Sequence, residues 1–180
     1  MPNQAQTQIS ASGEHLYATS EDFYKILDED LTHLYQVSFL LTGDQQKAER
    51  CFVACIEACA DKNWVFRDWA RPWTIRVVVE NAIRELTPRP TRSNSSSLPS
   101  LRTRQSTNPT GYFDAESLMG LPDFDRFVFV LRVLERYPEN ECALLLGSSR
   151  SQVREACTCA IKKLATIQLL NGERTSIGRK

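Results

Sequence analysis

The chain has 180 residues, 42% of them apolar and 24% charged, with 22 Lys/Arg balancing 22 Asp/Glu. That apolar share suffices for a packed core in one domain or two small ones, and the basic excess over residues 119–180, 10 Lys/Arg against 7 Asp/Glu, is modest, so any phosphate contact is limited and salt-sensitive. No apolar run reaches membrane length and no basic-then-apolar leader follows Met1, which predicts no membrane span, no signal peptide and a cytoplasmic protein.

Residues 1–19 are polar and aperiodic, which predicts a disordered tail. Ser20 ahead of Glu21 and Asp22 predicts a helix cap with acids in the first turn. The helical segment runs to about Leu41, in one piece or two, with Leu31, Leu34, Tyr35, Val37 and Leu41 along one side. Thr42-Gly43-Asp44 is a break, and Asp44 is placed to cap a second helix from about Gln45 to Cys59. In that helix Ala48, Cys51, Phe52, Cys55, Ile56 and Cys59 recur at steps of three and four. A loop holding Trp64 and Phe66 follows. Ala70-Arg71-Pro72-Trp73 then opens a third helix that ends near Leu86, ahead of Pro88 and Pro90. Its apolar positions are Trp73, Val77, Val78, Ala82 and Ile83, with Arg76, Asn81 and Arg84 as polar decoration.

Residues 87–118 are rich in Pro, Ser, Thr, Arg and Asn, which predicts a flexible linker. A structureless loop of roughly thirty residues is unusual inside one compact domain, so two domains are expected. The fold class is all-α, with an N-terminal helical bundle over residues 20–86 and a C-terminal helical domain over 119–168, followed by a polar tail over 169–180.

The C-terminal segment opens with an apolar helix around Val128-Phe129-Val130-Leu131. A short helix follows from about Pro138 to Leu146, then Gly147, then a longer helix. Gly147 can take positive φ and close the short helix, while Ser149 and Gln152 form a capping-box pattern. Val153, Ala156, Cys157, Ala160, Ile161 and Leu164 make one apolar stripe. Arg150, Arg154, Thr158 and Lys162, four residues apart, line the outer face. This is a helix-turn-helix pattern. It fits two readings: a face that enters a DNA major groove, or a solvated charged face on a packed helix.

Charge is unevenly placed: residues 1–86 carry 8 Lys/Arg against 13 Asp/Glu, and residues 119–180 carry 10 against 7. An acidic front and a basic back suit two kinds of partner. Of the six cysteines, none forms a Cys-x-x-Cys pair, and only two histidines are present. Cys51, Cys55 and Cys59 share a helical face, where they are a thiolate cluster or small apolar core residues. No glycine-rich phosphate loop, catalytic triad order or metal spacing is found, so no catalytic residue, metal or cofactor is expected.

Leu34-Tyr35, Leu40-Leu41-Thr42-Gly43-Asp44, Ala48-Glu49 and Ala70-Arg71-Pro72-Trp73 with Arg76 resemble the second conserved region of bacterial sigma factors, closest to the short extracytoplasmic-function type. Leu121-Pro122, Val128 to Glu135, Glu141-Cys142-Ala143 and Leu146-Gly147-Ser148-Ser149 resemble their fourth region. The resemblance covers residues 30–86 and 119–166, in the same order and with a linker between. It implies an N-terminal domain that binds core RNA polymerase and opens the minus-ten element, and a helix-turn-helix that reads the minus-thirty-five element of promoter DNA. The matching positions imply Asp44, Glu49 and Glu57 toward polymerase, and Arg76, Asn81 and Arg84 near the minus-ten strand. Arg150, Ser151, Gln152, Arg154 and Lys162 would lie at the minus-thirty-five groove. The resemblance also admits an anti-sigma protein as a partner.

The chain departs from the family at both partner surfaces. Arg50, Val53 and Ala54 stand where the clamp-binding helix usually carries an acid and a Gln-Glu pair. Ala156, Thr158 and Cys159 replace an Arg and a His-Arg pair of the recognition helix, and Glu155 adds a negative charge. Losing about three cationic contacts lowers affinity and flattens its salt dependence. The two functional readings are therefore a sigma-like initiation factor and a relative that keeps the scaffold but binds protein, through the Cys-lined helix or the apolar face around Trp64, Phe66 and Trp73.

Overall fold

The computed structural model describes residues 16–60, 64–90 and 115–177, with side chains to residue 167. Its regular structure is helical apart from one isolated antiparallel bridge between Tyr17 and Phe66. The chain divides into two compact units, Met1–Leu86 and Thr87–Lys180.

The first unit starts earlier than its composition suggests. Ala18 N–H donates to the Val65 carbonyl at 2.7 Å, and Arg67 N–H donates to the Leu16 carbonyl at 3.0 Å. Residues 16–19, expected in the disordered tail, are thus held by backbone bonds to a segment fifty residues on; residues 1–15 lie outside the described ones. The same pairing puts Thr19 in extended backbone, so Thr19 rather than Ser20 caps helix α1 (Ser20–Thr42). Its hydroxyl accepts from Asp22 N–H at 3.3 Å, and the Asp22 carboxylate accepts from Thr19 N–H at 2.9 Å. That backbone bond, with Arg67 beside it, holds the Asp22 carboxyl below the usual carboxylate range.

Helix α1 is one piece and stops at Gly43, whose φ of 66° is left-handed. Its buried face is Phe23, Leu27, Leu34, Val37 and Leu41. Leu31, expected there, is exposed, and next to it Glu29 and Asp30 both hold Arg71. Helix α2 (Gln45–Ala60) is capped by Asp44, which accepts from Lys47 N–H at 2.9 Å. Ala48, Cys51, Cys55 and Cys59 form its buried stripe, while Ile56 is exposed and Phe52 packs edge-on against Tyr35.

A 3-10 turn (Arg67–Trp69) leads into helix α3 (Ala70–Leu86). The buried face of α3 is Ala70, Thr74, Val78, Val79 and Ala82, with Trp73, Val77 and Ile83 only half-buried. The face is rotated from the expected one because Thr74 is a core residue. Its hydroxyl donates to the Ala70 carbonyl at 2.9 Å, which removes the cost of burying it. The three helices pack on one another as a bundle.

The second unit is built on a longer helical stretch than expected. Helix α4 (Ala115–Met119) begins within the residues assigned to the linker, 87–118, and ends at the first residue of the expected C-terminal domain; residues 91–114 of that linker are outside the described ones. Helix α5 (Asp123–Phe129) runs on as a π-turn (Val130–Leu134), where Glu135 N–H reaches the Val130 carbonyl at 2.9 Å. Every residue from Phe124 to Leu131 is buried, including Asp125 and Arg126. Arg126 donates to Asp123 at 2.7 Å, and Lys163 donates to Asp125 at 3.0 Å, so the polar members of this buried stretch are paired. Helix α6 (Glu139–Leu145) and helix α7 (Arg150–Ile177) complete the unit. Helix α7 continues nine residues past the boundary expected at 168. Polar composition alone does not stop a helix, and no proline lies in that stretch. Residues 178–180 are outside the described ones.

Candidate nucleic-acid interface

Helices α6 and α7 meet at a turn set by local chemistry. Gly147 has φ 56°, and a Cβ there would meet nothing within 4 Å, so backbone angle rather than crowding favours glycine. Ser148 N–H closes α6 onto the Ala143 carbonyl at 2.9 Å. The capping box forms as the sequence indicates: Gln152 N–H donates to Ser149 Oγ at 3.2 Å, and Ser149 N–H donates to Gln152 Oε1 at 2.9 Å. This commits the Gln152 carboxamide oxygen to the cap. Ser151 Oγ lies 2.9 Å from Ser149 Oγ.

Val153, Ala156, Ala160 and Leu164 face inward, whereas Cys157 is half-buried and Ile161 is exposed. The stripe is therefore narrower than expected. The outer face carries Arg150, Ser151, Arg154, Thr158 and Lys162, all exposed. Arg154 is engaged. Its Nη2 donates to Glu139 Oε1 at 2.8 Å and its Nε to Oε2 at 3.3 Å, a two-point clasp. That clasp holds the Glu139 carboxyl below its ordinary range, with Arg132 and Arg150 adding to the effect. Sequence reading missed Glu139. The signal was its place at the start of the first helix of a helix-turn-helix, where the second helix returns past it.

In the first unit, Asn81 was expected as an exposed residue and is instead 9% exposed. It packs where α3 meets α2, and its Oδ1 accepts from Arg84 Nη1 at 2.8 Å. Arg76 donates to Glu80 at 3.0 Å. Arg50 clasps Glu85 through two bonds of 3.1 and 3.0 Å. Arg50, Cys51, Ala54, Asn81, Arg84 and Glu85 line one shallow groove between α2 and α3. The structure thus brings Asn81 and Arg84 together, and Arg84 also lies 4.0 Å from the Glu80 carboxylate that Arg76 holds, so all three share one side of α3. Of the acids assigned to polymerase, Asp44 is used as a cap, Glu49 accepts from Gln45 at 2.9 Å, and Glu57 is exposed.

The cysteine-lined face of α2 is core. The Cys55 thiol reaches the Thr74 carbonyl at 3.6 Å, and Cys59 lies 4.0 Å from the Thr74 hydroxyl. Burial pushes Cys51 up to about 11, and the Cys59 thiol together with burial pushes Cys55 up as well. Among the described residues no three His, Cys, Asp or Glu are grouped to hold a metal ion, and no helix is long and apolar enough to cross a membrane.

A second surface lies at the entry to α3. Tyr17 stacks on Phe66 with centroids 5.0 Å apart and meets Trp64 edge-on at 5.3 Å. Trp64 is 84% exposed and Trp69 68%. Trp73, expected in this patch, turns inward against Phe23 at 5.3 Å.

No protein-family model matches the chain, and no curated protein matches it.

Proposed function

We propose that the protein is a sigma-like transcription initiation factor, with no catalytic residue of its own, that binds core RNA polymerase through the N-terminal bundle and promoter DNA through the C-terminal helix-turn-helix. The supporting observation is the α6–turn–α7 unit. A glycine with left-handed φ and a reciprocal cap fix the start of α7. Arg150, Ser151, Arg154, Thr158 and Lys162 are exposed on the side away from Val153, Ala156 and Ala160. That is the arrangement a recognition helix needs, and it stands in the segment that resembles the fourth sigma region.

The first test is Arg154→Ala, measured by gel shift on duplexes selected from a random pool by the unaltered protein. Loss of a base-reading arginine weakens binding roughly 10- to 100-fold. An unchanged affinity removes Arg154 from the interface and with it the main support for promoter reading.

One observation favours a second reading, a relative that binds protein instead. Arg50 is tied to Glu85 rather than free for a partner, and Trp64 and Trp69 are exposed beside Tyr17 and Phe66. On that reading a pull-down returns a partner other than polymerase, held at the aromatic patch.

A further inference from the structure

The carboxylate of Glu139 lies among the cations of the helix-turn-helix. Arg154 donates to it through two nitrogens, at 2.8 and 3.3 Å. Arg132 and Arg150 are close enough to act on its charge, and Arg132 is itself fixed by donating to the Tyr137 carbonyl at 2.8 Å, two residues before Glu139. Two oxygens accepting from one guanidinium, with further arginines nearby, is the setting in which a phosphate is held. The pair is also open to water: side-chain exposure is 72% for Arg154 and 23% for Glu139. An ion pair so exposed adds little to the stability of the fold, so its main consequence is to decide what Arg154 is free to touch.

We propose that Glu139 is an internal competitor for DNA, holding Arg154 in the free protein so that a duplex must displace it before that arginine can reach a base edge. This rests on the DNA-binding reading above and adds a regulatory residue to it. Glu139 lowers affinity for every duplex and raises the selectivity of the face, because only a site that offers Arg154 a better partner than a carboxylate releases it.

The test is a double-mutant cycle of E139Q and R154A, read as anisotropy of a fluorescein-labelled 20-base-pair duplex of mixed sequence, with circular dichroism to check folding. In low salt E139Q binds roughly 2- to 5-fold tighter than the unaltered protein, the span expected for freeing one exposed ion pair. Its log–log salt slope is steeper by about 0.9, because one negative charge fewer on the face lets about one more counterion leave the DNA. In the R154A background the same change gives no gain. A gain that persists without Arg154 overturns the latch, because Glu139 then acts only as a negative charge near DNA. Binding that E139Q leaves unchanged also overturns it, while the DNA reading stands. Absence of binding by every folded variant overturns the DNA reading and the latch with it.

Discussion

Phe127→Ala unfolds the C-terminal unit under conditions in which the N-terminal bundle stays intact. Phe127 is 0% exposed and sits in the middle of α5, a stretch buried on all sides from Phe124 to Leu131. Cutting phenylalanine to alanine there removes the ring and leaves a cavity that α7 and the π-turn can only partly fill, at a cost of about 3–5 kcal/mol. A small domain has little more stability than that to lose. The readout is built into the sequence. The three tryptophans, Trp64, Trp69 and Trp73, all fall in the first unit. Thermal melting followed by tryptophan fluorescence is therefore unchanged by Phe127→Ala, while melting followed by far-ultraviolet dichroism gains an early transition. A parallel fall in both signals contradicts two separately folded units.

Cys55→Asp has the largest expected effect in the N-terminal bundle. Cys55 is 0% exposed and faces Thr74 across the α2–α3 contact. A carboxylate in that position has no cation to pair with its charge and costs roughly 4 kcal/mol or more. Its folded-state pKa would be raised above the unfolded value. The penalty is therefore full near neutral pH and shrinks as pH falls toward the unfolded carboxyl pKa of about 4. Cys55→Ala, which only trims the thiol, costs about 1 kcal/mol. Tryptophan-monitored melting at two pH values separates the cases. A thiolate cluster that bound an ion would reverse the order of interest: Cys55→Ala would then destabilise strongly, and a chelator would lower the melting temperature of the unaltered protein.

Local signals carried much of the fold. Asp44 capping α2, the break at Gly43, Gly147 at left-handed φ, the Ser149–Gln152 box and the end of α3 before Pro88 each depend on residues within four positions of one another, and all appear as read. The misreadings have a common origin in distant partners. Thr19 displaces Ser20 as the cap because Leu16–Ala18 pairs with Val65–Arg67, a contact no local pattern shows. The face of α3 differs from the expected one because apolar spacing passes over Thr74 and puts Asn81 on the surface, yet each finds a hydrogen bond that allows burial. Trp73 leaves the expected aromatic face because Phe23 of α1 takes it as a neighbour, while Trp69, which the sequence does not single out, is exposed.

The candidate interface divides in the same way. Which residues face outward on α7 follows from helical spacing, and Arg150, Arg154, Thr158 and Lys162 are exposed as that spacing requires. What those residues are doing did not follow. Gln152 is turned back to its cap, and Arg154 is held by Glu139, fifteen positions earlier in the chain. A charge count along the sequence sees Arg154 as an available cation, whereas the fold supplies it with an acid. The same holds at α2, where Arg50 reads as a lost acidic contact and is in fact the partner of Glu85 on α3.

The central claim, a sigma-like factor, is tested most directly by mixing the purified protein with core RNA polymerase at low salt and resolving the mixture by size exclusion. The expected result is co-elution with polymerase that is lost when salt is raised, as a contact made through the acidic N-terminal half would require. Separate elution of the folded protein at low salt would contradict it and would turn attention to a protein partner at the Trp64–Trp69 surface.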